Sequence, residues 1–286
     1  RQSEDVQQNL REVQELLARH RVVEGLVHRQ QMPRHDLVEN LVHKQHIAEL
    51  RHKLDELHPA DIAYILEALP LDERLFVWDL VKADRDGEIL LEVSDAVRET
   101  LIEAMDSQEL VAATEQLDTD EIADLAPDLP SEVMQDVFRA LSVEEREQLR
   151  AAMSYDEDSV GALMDFEAVT VREDITLEAV LRYLRRFDEL PDHTDQLFVV
   201  DREERMQGVL PLNLLLVTDP DEMVSNIMVA EPLTLQSDEK AQTAAQAFER
   251  YDLVSAPVVD TEGKLVGRVT VNAVVDYIRE SSETEQ

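Results

Sequence analysis

Chemistry has few places to begin in this chain. His43-Lys-Gln-His46 spaces two imidazoles three residues apart, which suits a metal ion on one helix face or two polar residues that partly protonate near neutral pH. The composition around them favours the second reading. Lys82-Ala-Asp84-Arg-Asp86-Gly87 has the spacing of the middle of a calcium loop. Aligning Gly87 with the loop's glycine, however, puts Lys82 at the first ligand position and Val93 where a bidentate Glu is needed. That pattern fails, and Gly87 is expected to form a turn between helices. Asp120 and Asp124 lie four apart and would share a helix face, open either to a metal bridge or to plain solvation. Covalent chemistry has still less to use. There is no Cys, no His-Glu-x-x-His, and Gly263-Lys-Leu-Val-Gly267 lacks the spacing of a phosphate loop. Beyond residue 52 the only imidazoles are His58, which precedes Pro59 at a helix start and reads as structural, and His193 in a polar loop. An enzyme is not expected.

The elements that carry these residues are legible from composition. The 286 residues hold 64 Asp+Glu against 27 Lys+Arg, a net charge of -37. Such a surface repels phosphate backbones and anionic lipid, so nucleic acid is not an expected partner. The length allows one large domain or two ordinary ones, and 44% apolar residues argue for a folded chain. The longest apolar stretch, 209–217, is broken by Pro211 and Asn213 and falls far short of the roughly 20 residues a membrane span needs. The chain opens on Arg1 without an initiator Met or a charged-then-apolar leader, as a trimmed chain would.

The charge is uneven. Residues 1–52 hold eight basic and eight acidic residues, 53–152 hold eight and 27, and 153–286 hold 11 and 29. Residues 1–52, with six of the eight His, read as two amphipathic helices separated by Pro33, on the spacing of Leu10, Val13, Leu17 and then Leu37, Leu41. From 53 to 152, helix starts recur at roughly a dozen residues, near Pro59, Asp72, Asp84, Ser94, Ser107, Asp118, Ser131 and Ser142, the mark of a helical repeat. Ser142 with Glu145, and Asp118 with Glu121, have capping-box spacing.

After Met153 strand-like runs alternate with helical ones, and one unit of about 60 residues occurs twice. Leu163-Met164 matches Ile227-Met228, Val199-Val-Asp201 matches Val258-Val-Asp260, and Gly208-Val-Leu-Pro-Leu-Asn213 matches Gly267-Arg-Val-Thr-Val-Asn272. This tandem strand-helix-strand-turn-strand-helix unit resembles the CBS domain pair. The resemblance implies a pseudo-symmetric module over 153–270, with repeats at about 163–217 and 227–270, that often dimerises and in many members binds adenine nucleotide. Such members place an Asp three residues after a Ser/Thr that follows the third strand. Here those positions are Leu214 and Ala273, which removes the acceptors a ribose requires and argues against adenine nucleotide as a partner.

The helical repeat, then Tyr155-x-x-Asp-x-x-Gly-x-Leu-Met164, then the pair, resembles the cytosolic half of the MgtE magnesium transporters. The implied fold is an all-α helical-repeat superhelix, a tandem β-α-β-β-α pair, and a connecting helix over 271–286 leading to a membrane domain not in this chain. The implied function is regulatory: intracellular Mg²⁺ bound at acidic inter-domain sites closes the domains of a homodimer and shuts the pore, at the cytoplasmic face of the inner membrane. By that resemblance the Mg²⁺ ligands fall on Glu88, Asp120, Asp124, Asp252 and Asp276. It departs at Asn272-Ala273, where the family carries two acids, and at Gln242. Mg²⁺ is a hard ion that binds through a few carboxylates while keeping waters, which suits acids on facing surfaces. A nucleotide-responsive CBS module and an acidic helical adaptor for a basic partner are the alternative readings.

Overall fold

The computed structural model describes the backbone of residues 2–27 and 35–284, and the surroundings of side chains 5–22 and 43–282. The break expected at Pro33 and the stripe at Leu37 and Leu41 lie outside the described side chains. Two compact units emerge, Arg1–Leu117 with Glu121–Ser142, and Val143–Gln286 with Asp118–Asp120. The helix from Val143 thus groups with the second unit, whereas the sequence boundary was drawn at 152/153.

The first unit is helical. α1 (Gln2–Val27) and α2 (His35–Glu56) pack on each other, with Val13 and Leu17 of the first and Leu50 and Leu54 of the second buried. Lys53 of α2 ties the pair at its edge, 2.5 Å from Glu12 and 3.0 Å from Asn9. Short helices follow: α3 (Pro59–Ala68), α4 (Leu71–Leu80), α5 (Asp86–Glu92), α6 (Asp95–Glu103), α7 (Ser107–Thr114), α8 (Thr119–Leu125) and α9 (Ser131–Ala140). Each turns one apolar stripe inward, as with Ile62, Ile65 and Leu66 of α3 or Val133 and Val137 of α9, so none can be buried without its neighbours. The starts sit within two residues of those read from the sequence. His58 is a structural N-cap: its Nδ1 accepts from Ala60 N at 3.2 Å. A capping box forms at α7, where Asp106 and Glu109 each accept from the other's backbone N–H, a pairing the sequence reading did not single out.

Gly87 corrects the sequence reading. It lies inside the first turn of α5 rather than between helices, and a Cβ there would stand 2.4 Å from the carbonyl oxygen of Ala113. The glycine lets α5 and α7 approach closely. Arginines form the other unexpected device. Arg74 donates through Nε to Leu66 O (2.8 Å), and Arg98 through Nε to Leu90 O (2.7 Å), each eight residues back. Arg85 reaches Leu54 O (2.9 Å) and Leu57 O. Each guanidinium satisfies carbonyls at the end of a preceding helix, where the helix's own amides run out.

The second unit opens with α10 (Val143–Ser154) and contains the two repeats. The first runs through α11 (Val160–Leu163), β1 (Thr170–Arg172), α12 (Leu177–Leu184), β2 (Gln196–Val200), β3 (Met206–Pro211) and α13 (Leu212–Val217). The second runs through α14 (Val224–Ile227), β4 (Val229–Ala230), β5 (Leu235–Gln236), α15 (Ala241–Tyr251), β6 (Ser255–Val259), β7 (Leu265–Thr270) and α16 (Val271–Thr284). In each, a parallel strand pair (β1 with β2, β5 with β6) continues into an antiparallel one (β2 with β3, β6 with β7). Two cores form, Val169, Leu177, Leu197, Val199 and Leu210 joined by Val224 of the second repeat in one, and Leu235, Ala244, Phe248, Ala256 and Val258 joined by Val160 and Met164 of the first in the other.

The repeats also exchange edges. β4, the lead of the second repeat, pairs antiparallel with β3 of the first, and Asp165, in the lead of the first, bridges to Arg268 in β7 of the second. Gly208 and Gly267 permit this. A Cβ on either would come within 2.7 Å of the crossing strand's carbonyl, Val229 O or Asp165 O. The turns after β2 and β6 join as well, through Met206 N to Gly263 O and Leu265 N to Glu204 O, both 3.0 Å.

Candidate functional site

The five candidate ligands sit at element ends and on exposed turns. Glu88 is exposed in the first turn of α5. Asp120 and Asp124 lie one turn apart on α8, Asp120 half-buried and Asp124 exposed, so the structure keeps this pair on a shared helical face. Asp252 caps α15 with left-handed backbone (φ 49°), a conformation that Asp tolerates better than bulky residues. Asp276, on α16, holds Arg279 at 3.2 Å in an exposed pair one turn on. Among the described residues, no three His, Asp or Glu side chains stand close enough together to hold a metal ion. The donor chemistry is that of hard oxygen ligands offered one or two per element, which fits a largely hydrated Mg²⁺ rather than an all-protein cage.

One acid in the helical unit is unlike the others. Asp86 has its carboxyl pushed up to about 7, by burial first and then by the charges of Glu109 and Asp84. Its Oδ1 is buried without a hydrogen-bond partner among the described residues.

The second unit holds a cleft of about 230 Å³ whose lining includes Asp165, Glu167, Asp192, His193, Arg268 and Thr270. Its centre is Arg268, only 4% exposed, which gives Nε to Asp165 Oδ1 at 2.9 Å and an Nη2 proton to Asp192 O at 2.7 Å. Burial raises the Glu167 carboxyl above its usual range, the charges of Asp118 and then Asp165 add to the effect, and Arg268 opposes it. The guanidinium is therefore already engaged, and an incoming phosphate would have to displace Asp165 or share it. Leu214 and Ala273 occupy the third positions of α13 and α16, each half-buried.

Two contacts at α16 escaped the sequence reading because their partners are 79 and 119 residues away. Asn272 Nδ2 donates to His193 Nε2 at 2.6 Å, and Tyr277 Oη donates to Asp158 Oδ1 at 3.1 Å. His193 thus has a role that its polar loop did not suggest. It too adopts left-handed backbone (φ 58°). No helix among the described residues is long and apolar enough to cross a membrane.

Comparison with known proteins places these features. Residues 57–158 match the family described as the MgtE intracellular N domain, and residues 160–216 and 224–280 each match the CBS domain. The magnesium transporter MgtE of Thermus thermophilus is 34% identical over 82% of this chain, and that of Bacillus subtilis 25% identical over 83%. The chain spans about half the length of these curated relatives, 53% in both cases. Among solved structures, a cytosolic domain of the Mg²⁺ channel MgtE in complex with ATP matches with a TM-score of 0.73 and 32% identity, covering 84% of this chain and 98% of the other. The soluble part of a magnesium transporter matches with a TM-score of 0.69 at 21% identity, which speaks to the fold.

Proposed function

The chain belongs to the MgtE family, as its helical N domain followed by its CBS pair, and on that premise we propose that it senses Mg²⁺ for a transporter pore carried elsewhere in the protein. What carries the reading is the architecture at 32% identity to a solved cytosolic domain of an Mg²⁺ channel, together with carboxylates at the expected positions. Glu88 on α5 and Asp120 and Asp124 on α8 offer ligands, as do Asp252 and Asp276 of the CBS pair. Carboxylates repel one another, so acidic surfaces resist approach until a cation offsets their charge. A divalent ion shared among their carboxylates and its own waters draws them together. Among the described residues, the ion competes at Asp276 with an exposed pair to Arg279, and such pairs contribute little. α16 then carries the change toward the pore at the cytoplasmic face of the membrane. The assembly is a homodimer through the CBS pair, a reading supported by the exposed Leu216 (75%) and Val217 (82%) on α13 and Val275 and Ile278 on α16.

A second reading is favoured by one observation, the ATP bound to the solved relative. It weighs against the expectation that this chain takes no adenine nucleotide, an expectation resting on Leu214 and Ala273. One experiment addresses both. Small-angle scattering across a MgCl₂ titration, at ionic strength held constant with NaCl, is expected to give a saturable fall in radius of gyration that is lost when Asp120→Ala and Asp124→Ala are combined. An unchanged radius sinks the sensing role. Repeating the titration with ATP present separates the readings: a contraction seen only with ATP favours the nucleotide-responsive module.

A further inference from the structure

α16 is 14 residues long, yet its apolar anchorage ends early. Val274 is 3% exposed and Val271 packs against the second-repeat core, whereas Val275 and Ile278 are 56% and 49% exposed. Past Val274, apolar packing onto the unit is too thin to fix the direction of the helix.

Polar contacts take over. At the start, Asn272 is held by His193, whose loop is itself fixed by Arg268 at Asp192 O and by Ser255 at Asp195. Farther along, the half-buried Tyr277 reaches Asp158. Asp158 belongs to the segment 155–161, which follows α10 and leads into the first repeat, and this segment is stitched to the second repeat. Asp158 O accepts from Ala241 N (2.9 Å), Val160 N donates to Glu239 O (2.8 Å), and Gly161 N donates to Ser237 O (2.9 Å). The Tyr155 ring packs so closely on Gly161 that a Cβ there would lie 2.4 Å away. Asp158 is thus a fixed acceptor on a rigid rail.

We propose that Tyr277 is a positioning residue whose hydrogen bond to Asp158 sets the direction of α16 and ties it to the lead-in segment 155–161. A displacement of that segment is passed to the outer half of α16 through this side-chain contact. The mechanical coupling stands on this geometry alone, and its service in gating rests on the Mg²⁺-sensing reading.

Hydrogen exchange read by mass spectrometry on the full 286-residue chain tests it. Tyr277→Phe keeps the ring and removes only the donor, and Asp158→Ala removes the acceptor. Each is expected to speed exchange of the α16 amides after Val274 roughly three- to tenfold, the range of one hydrogen bond, and to leave β6 and β7 unchanged. The double variant is expected to match the singles, since both remove one contact. Unchanged exchange in α16, or effects that add in the double variant, would overturn the proposal. Running wild type with and without MgCl₂ separates the two readings. An α16 that loosens in Tyr277→Phe but never responds to Mg²⁺ leaves the coupling standing and removes the sensing role.

Discussion

Asp86 shows how one carboxyl can make stability depend on pH. Its folded value of about 7 lies above the roughly 4 of an unfolded Asp, so the folded state holds the proton more tightly. Its contribution to stability is therefore full below about pH 4 and is lost as pH rises through about 7. Asp86→Asn keeps the shape and removes the titration. Its urea midpoint is expected to exceed the wild type's at pH 8, with the gap closing toward pH 4. Equal midpoints at both pH values would show that the carboxyl is better solvated than its surroundings imply. The residue scale also explains why Gly87 misled the sequence reading. A glycine needed for close approach and one needed for a turn look alike in sequence, and only the Ala113 carbonyl 2.4 Å from its virtual Cβ tells them apart.

At the scale of elements, the helical unit depends on arginine. Arg98 donates to the carbonyls of Leu90, Leu91 and Val93 and pairs with Asp128 at 3.0 Å, while its side chain is only 12% exposed. Arg98→Ala leaves three helix-end acceptors without that donor and is expected to cost about 2–3 kcal/mol in chemical denaturation. Arg98→Lys should recover little of this, because a point charge cannot reproduce a planar fork. A loss below about 0.5 kcal/mol would mean that water replaces the guanidinium without penalty.

Element starts were legible because caps and apolar periodicity are local signals, as at Pro59, Ser107 and Ser131. The doubled unit was legible because Gly208 and Gly267 sit at equivalent, crowded crossings. The contacts made by Arg98 to Asp128, Asn272 to His193 and Arg268 to Asp165 were not, since each joins residues 30 to 103 apart and leaves no periodic trace. The candidate acids fall between these cases. Asp120 and Asp124 could be paired from their spacing alone, whereas Glu88, Asp252 and Asp276 have no local signal that distinguishes them from the other acids of so charged a chain.

Across the whole molecule, a net charge of -37 makes repulsion a general load on the fold. NaCl relieves it by screening over about 8 Å at physiological ionic strength, and this effect levels off. MgCl₂ at matched ionic strength is expected to raise the melting temperature further and saturably in scanning calorimetry, since binding to the folded state adds stability by mass action. That increment should shrink in Asp120→Ala with Asp124→Ala. Retention of the full increment would assign the binding to other acids.

The crossed edges of the two repeats bear on how such a pair can arise. Each repeat lends its leading segment to the last sheet strand of the other, β4 to β3 and Asp165 to Arg268, so neither is complete alone. A single repeat could complete itself only by trading leads with a second copy, as a swapped dimer whose formation depends on concentration. Duplication within one gene turns that encounter into an intramolecular one at high effective concentration. It also frees the two halves to diverge, so that one crossing carries the Arg268–Asp165 ion pair and the other carries Val209 facing Val229.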